Sequence, residues 1–484
     1  MRGVEIFEFR LKEGVLRWLN ATDFRHNSNT YGICDRDYWA WKLKPFANGT
    51  LQAGISAFLD SAGWLGFDDN YVQQVVRAVV HGTRQIQRSN GSFEEAYPLE
   101  SSFAVTGLVQ FNLAYSFLKY PQFFDSDSSE LAKEILLAGK KFVESTPETH
   151  GVISNHLATS LLSLDLTRAV FGGDRDLSSG SSQFLNTQNE EGWFMEYSGP
   201  DPGYQSLLNH YLFAANEVLK SDALDLSLQK SQEFVGRFCS PIGRFAGEIG
   251  ARGTSILYPS GLSSHYWNWF CEQHNQSMEC VSPSVSDSGN FVPILNSWAI
   301  ARNKMNSQEG QRQEGGRYYA PVGGMLVDQG ADHFLMMNLK NGSLKLDIKE
   351  QGEWKVNDLV SLSDGSHYSQ LGTVTDRTIQ NDKVILEIQP VKFKQELMKG
   401  WKMMVVILVG QILYPFPFLQ RWFKKMLASR VMGAHTGALK NSWRLEITFG
   451  GKTPVVKVQE NVEKVTFGFF QHMASANTIG RLGK

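Results

Sequence analysis

The chain has 484 residues, enough for two or three domains and a large core. Hydrophobic residues make up 42% and charged residues 20%, the balance of an ordinary globular protein. A formal net charge of −2 excludes the basic footprint of a nucleic-acid binder.

The first twenty residues scatter their charges and have no uninterrupted apolar stretch, so no secretory signal is expected. Cys34, Cys239, Cys271 and Cys280 form neither a CxxC pair nor a zinc pattern. Reduced thiols, a cytoplasmic location, no metal and no cofactor are the corresponding expectations.

Up to about residue 305 the periodicity is helical. Asn70–Arg88, Phe103–Leu118, Ser129–Ser145, Asn155–Val170, Tyr204–Leu219 and Leu226–Phe238 each carry apolar residues at helical spacing. Two of the intervening loops look like one unit written twice. Setting Gly91 on Gly192 aligns Phe93 with Phe194, Glu95 with Glu196, Glu100 with Asp201 and Phe103 with Tyr204. An acidic, aromatic loop recurring between helices predicts helical hairpins stacked around a centre, their loops gathered at one end.

A polar stretch over 306–316 reads as a linker. Beyond it the pattern alternates as strands do, over Arg317–Gln329, His333–Leu339, Ser343–Glu350, Lys383–Pro390 and Ser442–Phe449, with a hairpin signal at Asn341-Gly342. Residues 317–484 therefore read as an antiparallel β-sandwich. Inside it, 400–433 is a hydrophobic insertion with basic flanks, too short to span a bilayer as a helix. It is either a peripheral membrane contact or an insertion packed on the helical domain, and packing is the preferred reading.

Asn155-His156 opens one helix and Tyr204 another. Breaking a bond β to a uronate carboxylate requires neutralising the carboxylate, taking the C5 proton and protonating the leaving oxygen. Asn, His and Tyr can divide that work. Arg252 offers a fork that matches a carboxylate, and Trp193, Tyr258, Glu95 and Glu196 are candidate sugar contacts. The plain alternatives are a helix cap for Asn155, an ion pair for Arg252 and structural roles for His265 and His274.

Asn155-His156 with Leu157–Leu164, then Gly192-Trp-Phe-Met-Glu196 with Pro202-Gly-Tyr204, resemble the heparinase II/III-like polysaccharide lyase superfamily, which includes oligoalginate lyases and uronyl epimerases. Tyr31–Lys42 with Phe46-Ala-Asn48, and Gly247–Thr254 with Tyr258–Leu262, resemble its members from bacterial surface-polysaccharide gene clusters. The resemblance implies an α+β multidomain chain, an N-terminal incomplete (α/α) toroid over 1–305 followed by a C-terminal antiparallel β-sandwich. It also implies an acidic polysaccharide as partner. Asn155 would bind the carboxylate, His156 would be base or stabiliser, and Tyr204 acid, base or both. The lyases' Gly-His-Gly-His-x-Asp stretch is missing; Leu326–Leu335 holds the lone His333 instead.

The favoured expectation is β-elimination or C5 epimerisation of a uronate-containing polysaccharide. The alternatives are a non-catalytic glycan-binding scaffold and a toroidal glycoside hydrolase using Glu95, Glu100, Glu196 or Asp201.

Overall fold

A computed structural model describes residues 2–96, 98–148, 152–254, 256–267, 282–284, 286, 289–304, 315–355, 359–364, 366–392, 400–413, 416, 418–419, 422–423, 441–459 and 462–467. The chain packs as two compact units. One comprises Met1–Met195, Tyr204–Gly236 and Leu257–Arg312; the other comprises Glu196–Gly203, Arg237–Ile256 and Gln313–Lys484. Two segments expected within the helical domain thus belong to the second unit. Residues 305–314, most of the expected linker, lie outside the described residues, as do His150, Cys271, His274 and Cys280.

The first unit is helical. Its helices are α1 (Arg2–Ala21), α2 (Arg36–Trp39), α3 (Ile55–Leu65), α4 (Asp69–Ile86), α5 (Phe103–Lys119), α6 (Ser126–Ser145), α7 (Ser154–Val170), α8 (Ser179–Leu185), α9 (Pro202–Leu219), α10 (Asp222–Gly236) and α11 (Phe291–Lys304). The expected helices correspond to α4–α7, α9 and α10.

Two kinds of helix are present. In α4, Val72, Val75, Val76, Val79 and Val80 face inward while Gln73, Gln74 and Arg77 face water, so one stripe is buried. In α5 every residue from Val105 to Ser116 is buried, so the helix is enclosed on all sides.

Side-chain pairs give the inner helices their direction. Ser56 of α3 donates to Asn112 Oδ1 of α5 at 2.7 Å, and further along both helices Lys119 Nζ donates to Asp60 Oδ1 at 2.9 Å. Asn296 of α11 donates to the Ala53 carbonyl, and Asn303 to the Asp60 carbonyl. Phe111 meets Tyr211 of α9 at 5.3 Å, and Tyr115 donates to Glu217 at 2.7 Å. Helices α3, α5, α9 and α11 therefore run parallel, with their starts at one end.

The repeated loops are one structure used twice. Gly91 and Gly192 have φ of +88° and +93°. A Cβ on Gly91 would meet the Ala138 carbonyl oxygen of α6 at 2.1 Å; one on Gly192 would meet that of Lys230 in α10 at 2.5 Å. Gln87 donates to the carbonyls of Gly91 and Ile135, and Gln188 to those of Gly192 and Ser227. Each loop then delivers the chain into an inner helix, α5 or α9.

In the second unit, among the described residues, eleven strands pair antiparallel in one hydrogen-bonded network. They are β1 (Gly316–Ala320), β2 (Met325–Gln329), β3 (His333–Asn338), β4 (Leu344–Glu350), β5 (Glu353–Lys355), β6 (Leu359–Ser363), β7 (His367–Ile379), β8 (Lys383–Lys392), β9 (Trp443–Thr448), β10 (Val455–Val458) and β11 (Glu463–Phe467). The stretch expected as one strand over Arg317–Gln329 is two, because Pro321 and a left-handed Gly324 turn the chain between β1 and β2.

Leu335 and Met337 of β3, Leu344 of β4, Leu386 and Ile388 of β8 and Leu445 of β9 share one apolar core. The other face of β4 is polar and equally buried. Lys345 Nζ pairs with Glu248 at 2.7 Å, Arg244 lies 3.9 Å from Asp347, and Asn338 of β3 donates to the Ile249 carbonyl. The segment Arg237–Ile256 belongs to the second unit through these bonds.

The insertion contains α12 (Gly400–Leu413). Packing is not what its described residues display: Trp401, Met404, Val405, Leu408 and Ile412 are exposed. No helix among the described residues is long and apolar enough to cross a membrane.

Two measurements check this account. Gly192→Ala should destabilise the protein by more than the about 1–2 kcal/mol that left-handed backbone alone costs an alanine. Gly172→Ala, at φ +77° with nothing within 4 Å of its new Cβ, should cost only that. Thermal denaturation compares the two. Lys304, the last residue of α11, is buried, and burial pulls its pKa down to about 7. Above that value the folded lysine has released a proton that the unfolded one holds up to about 10.4, so stability should rise with pH across that window. Lys304→Met should flatten the rise in melting temperature.

Candidate active site

The start of α7, like that of α3, has no side-chain cap. Helices α4, α5, α6 and α8 are capped by Asp68, Ser102, Asp125 and Ser178, whose side chains accept from the first turn. At α7 the capping position is Ile153, which has no side-chain acceptor to offer. Asn155 is not the cap; it is the second residue inside the helix.

Asn155 is buried, at 2% exposure, and its Oδ1 has no hydrogen-bond partner among the described residues. Its carbonyl accepts from Thr159 at 2.6 Å. A buried amide oxygen without a bond is costly unless something else completes it.

His156 is partly exposed, and its Nδ1 lies 2.9 Å from Oε2 of Glu148, whose side chain is 3% exposed. A carboxylate accepts only, so in the neutral imidazole this bond places the hydrogen on Nδ1 and leaves Nε2 with a lone pair. Glu148 stands in the connection from α6 to α7, eight residues before His156. No spacing rule pointed to it, since no local pattern pairs a carboxylate with a histidine eight residues later.

Tyr204 is the third residue of α9 and is partly exposed. The chain enters α7 and α9 at the same end of the bundle. The Gly91 loop lies against Ile135 and Ala138 in the middle of α6, from whose end the chain passes through Glu148 into α7, and α9 runs parallel to α5. Both helices pack on α5: a Cβ on Gly107 would meet Ser160 of α7, and Phe111 meets Tyr211 of α9. Just past the end of α7, Arg175 donates to the Val218 carbonyl near the end of α9, so the two helices run in the same direction. Asn155, His156 and Tyr204 all belong to the first unit.

The other candidates are placed differently. Trp193 is buried and donates to Glu191 at 2.7 Å. Tyr258 is buried, its amide bonded to Ser206. Both rings are packed and present no face to a ligand, which corrects the sugar-contact reading for these two. Glu95 is partly exposed, and its amide donates to Glu100.

Arg252 and Glu196 sit in the second unit as a buried ion pair at 2.8 Å. The Arg252 guanidinium also lies over Tyr197, and its amide donates to Asp201 at 2.7 Å. These bonds hold the loop 196–201, with its left-handed Tyr197, in place.

The second unit contains a cavity of about 460 Å³, lined among others by Ser198, Pro200, Asn338, Lys340, Thr373 and Arg377. That is the size range of ligand pockets, and its charged lining is Lys340 and Arg377 together with Asp376. Ser198 and Pro200 lie in the repeated loop, but no pattern in the sequence brought them together with Lys340 and Arg377. His333 pairs with Asp328 at 2.8 Å and the Lys452 carbonyl, and His265 stacks edge-on with Tyr266. Among the described residues no group of three or more His, Cys, Asp or Glu is placed to hold a metal.

No family model matches the sequence, and no curated protein does. Among solved structures the chain is similar to heparinase III, at 11% identity and a TM-score of 0.43, covering 76% of this chain and 60% of that one. It is similar to a Paenibacillus xanthan lyase at 9% identity and 0.44, covering 80% of this chain and 46% of that one. A cellobiose 2-epimerase from Bacillus thermoamylovorans gives 13% and 0.40, covering 64% and 89%.

The Glu148 contact has a direct check. Imidazole ¹⁵N shifts should report His156 protonated on Nδ1 in the neutral protein. In Glu148→Gln that preference should weaken, with the melting temperature nearly unchanged.

Proposed function

We propose that this chain is a carbohydrate-active, lyase-like protein that abstracts the C5 proton of a uronate residue in an acidic polysaccharide, with β-elimination as the outcome and C5 epimerisation as the neighbouring one. The observation that carries the reading is the His156–Glu148 pair beside Asn155 at the uncapped start of α7. The heparinase-like motif supports it. So does the direction of the inner helices, whose starts carry the positive ends of their dipoles and favour an anion.

In this reading Asn155 and the first amides of α7 hold the uronate carboxylate, which takes up charge as C5–H breaks. Nε2 of His156 accepts the proton, and Glu148 steadies the imidazolium that forms. The C5 electron pair becomes the C4–C5 double bond, the C4–O4 bond breaks, and the Tyr204 phenol gives its proton to the leaving oxygen. If the glycosidic bond stays, reprotonation of C5 on the opposite face gives the epimer. The helical unit is proposed as an incomplete (α/α) toroid and the strand unit as a β-sandwich. Arg252, Glu196 and Glu95 are proposed as supports of glycan-contacting loops, with no metal and no cofactor.

The test is a screen of uronate polymers, followed by ultraviolet absorbance of the unsaturated product and by solvent deuterium entry at C5. Tyr204→Phe should abolish elimination while leaving the fold intact, and His156→Ala should reduce turnover by about 10²-fold or more. Phe103 occupies the equivalent place in the first loop, so Phe103→Leu should leave turnover largely unchanged. Full activity in Tyr204→Phe would remove the acid assignment. Binding without turnover of any acidic glycan would support the non-catalytic scaffold instead.

A further inference from the structure

The insertion after β8 has an apolar face with no cover among the described residues. Trp401, Met404, Val405, Leu408 and Ile412, separated by three, one, three and four residues, fall along one side of α12. All are exposed, Ile412 at 69%. Val406, Val409 and Leu413, on the remaining surface, are only partly so. Beyond the helix Phe416, Phe418, Leu419 and Trp422 are exposed as well, Phe418 at 80%. Single exposed apolar residues are ordinary on a protein surface; a contiguous run of this length is not.

The charge around the stripe selects the occupant. Between Glu396 and Glu446 the sequence has no acidic residue, while Lys399, Lys402, Arg421, Lys424, Lys425 and Arg430 lie within the span. A protein partner with an apolar groove does not require such one-sided charge, whereas an anionic lipid headgroup does. Trp401 at the start of the helix and Trp422 beyond its end are the side chains that settle at headgroup depth. Fourteen helical residues extend about 21 Å, against a hydrocarbon core of about 30 Å. The helix is long enough to lie in an interface and too short to cross.

We infer that α12 seats this protein on an anionic lipid surface, the stripe from Trp401 to Ile412 entering the headgroup boundary and the exposed Lys402 meeting the phosphates. The inference is independent of the catalytic reading, since it rests on a different segment.

The full chain would be sedimented with vesicles of phosphatidylcholine alone and of phosphatidylcholine with phosphatidylglycerol. It should bind the anionic vesicles, more weakly at high salt. Leu408→Glu with Ile412→Glu should weaken binding by about 100-fold or more, and Lys402→Glu by about 10-fold. Circular dichroism and melting temperature should be unchanged, because the substituted residues are exposed. Lipids brominated near the headgroup should quench tryptophan emission, and less so in Trp401→Phe with Trp422→Phe. No binding to anionic vesicles would overturn the inference, as would undiminished binding of the double glutamate variant. Sedimentation as a dimer that this variant dissociates would assign the face to a second copy of the chain.

Discussion

The inner helices are enclosed on every side, and the rest of the helical unit follows from that constraint. A helix with no water-facing surface must either be wholly apolar or bond its polar groups to its neighbours. This chain does the second. Asn112 of α5 sits where three helices meet. Its amide oxygen accepts from Ser56 of α3 and from Asn296 of α11, and its amide nitrogen donates to Leu108 within its own helix. Such a bond set fixes the axial register of the helices in a way that leucine packing alone does not. Near the helix ends the same logic uses charge. Asp60 is raised above the ordinary carboxylate range by burial, and Lys119 and Tyr120 donate to it.

Parallel inner helices have an electrostatic result. Their C-terminal ends, each with a partial negative charge, gather at one side, and there Lys119 ends α5 and Lys304 ends α11. Their starts gather at the other side, where amides point outward. At α4, α5, α6 and α8 a side-chain oxygen meets this. At α7 the cap position is an isoleucine, and the buried Asn155 and the Glu148-oriented His156 stand beside it. The chemistry proposed here therefore belongs to the end of the bundle whose backbone already favours negative charge.

Legibility in the sequence followed local periodicity. Helix α4, with one valine face, and α6 read clearly. Helix α5 was marked by its bounds and by the repeat, whose glycines the structure places in matching left-handed turns. Helices α3 and α11 escaped, because burial on all sides erases the alternation between polar and apolar faces. In the strand unit, β8 and β9 alternate and were found, while β7, rich in polar residues and irregular in register, was not. Asn155, His156 and Tyr204 were visible as motif residues. Glu148 was not, because no local pattern pairs a carboxylate with a histidine eight residues later. Trp193 and Tyr258 were chosen as aromatic residues near motifs, and burial has given them to the core.

The polar face of β4 bears on how the second unit comes together in time. Lys345 and Asp347 are placed by strand alternation on the side away from the apolar core, and both are nearly inaccessible to water. Their partners, Glu248 and Arg244, are about a hundred residues earlier in the chain. A sheet assembled from the C-terminal residues alone would have to leave these two charges solvated, or bury them without their counter-ions at a cost of several kcal/mol each. Closure of the strand unit is therefore a non-local event, tied to the earlier segment being in place. A fragment cut at the apparent linker would contain every strand and still lack the charges that complete its sheet.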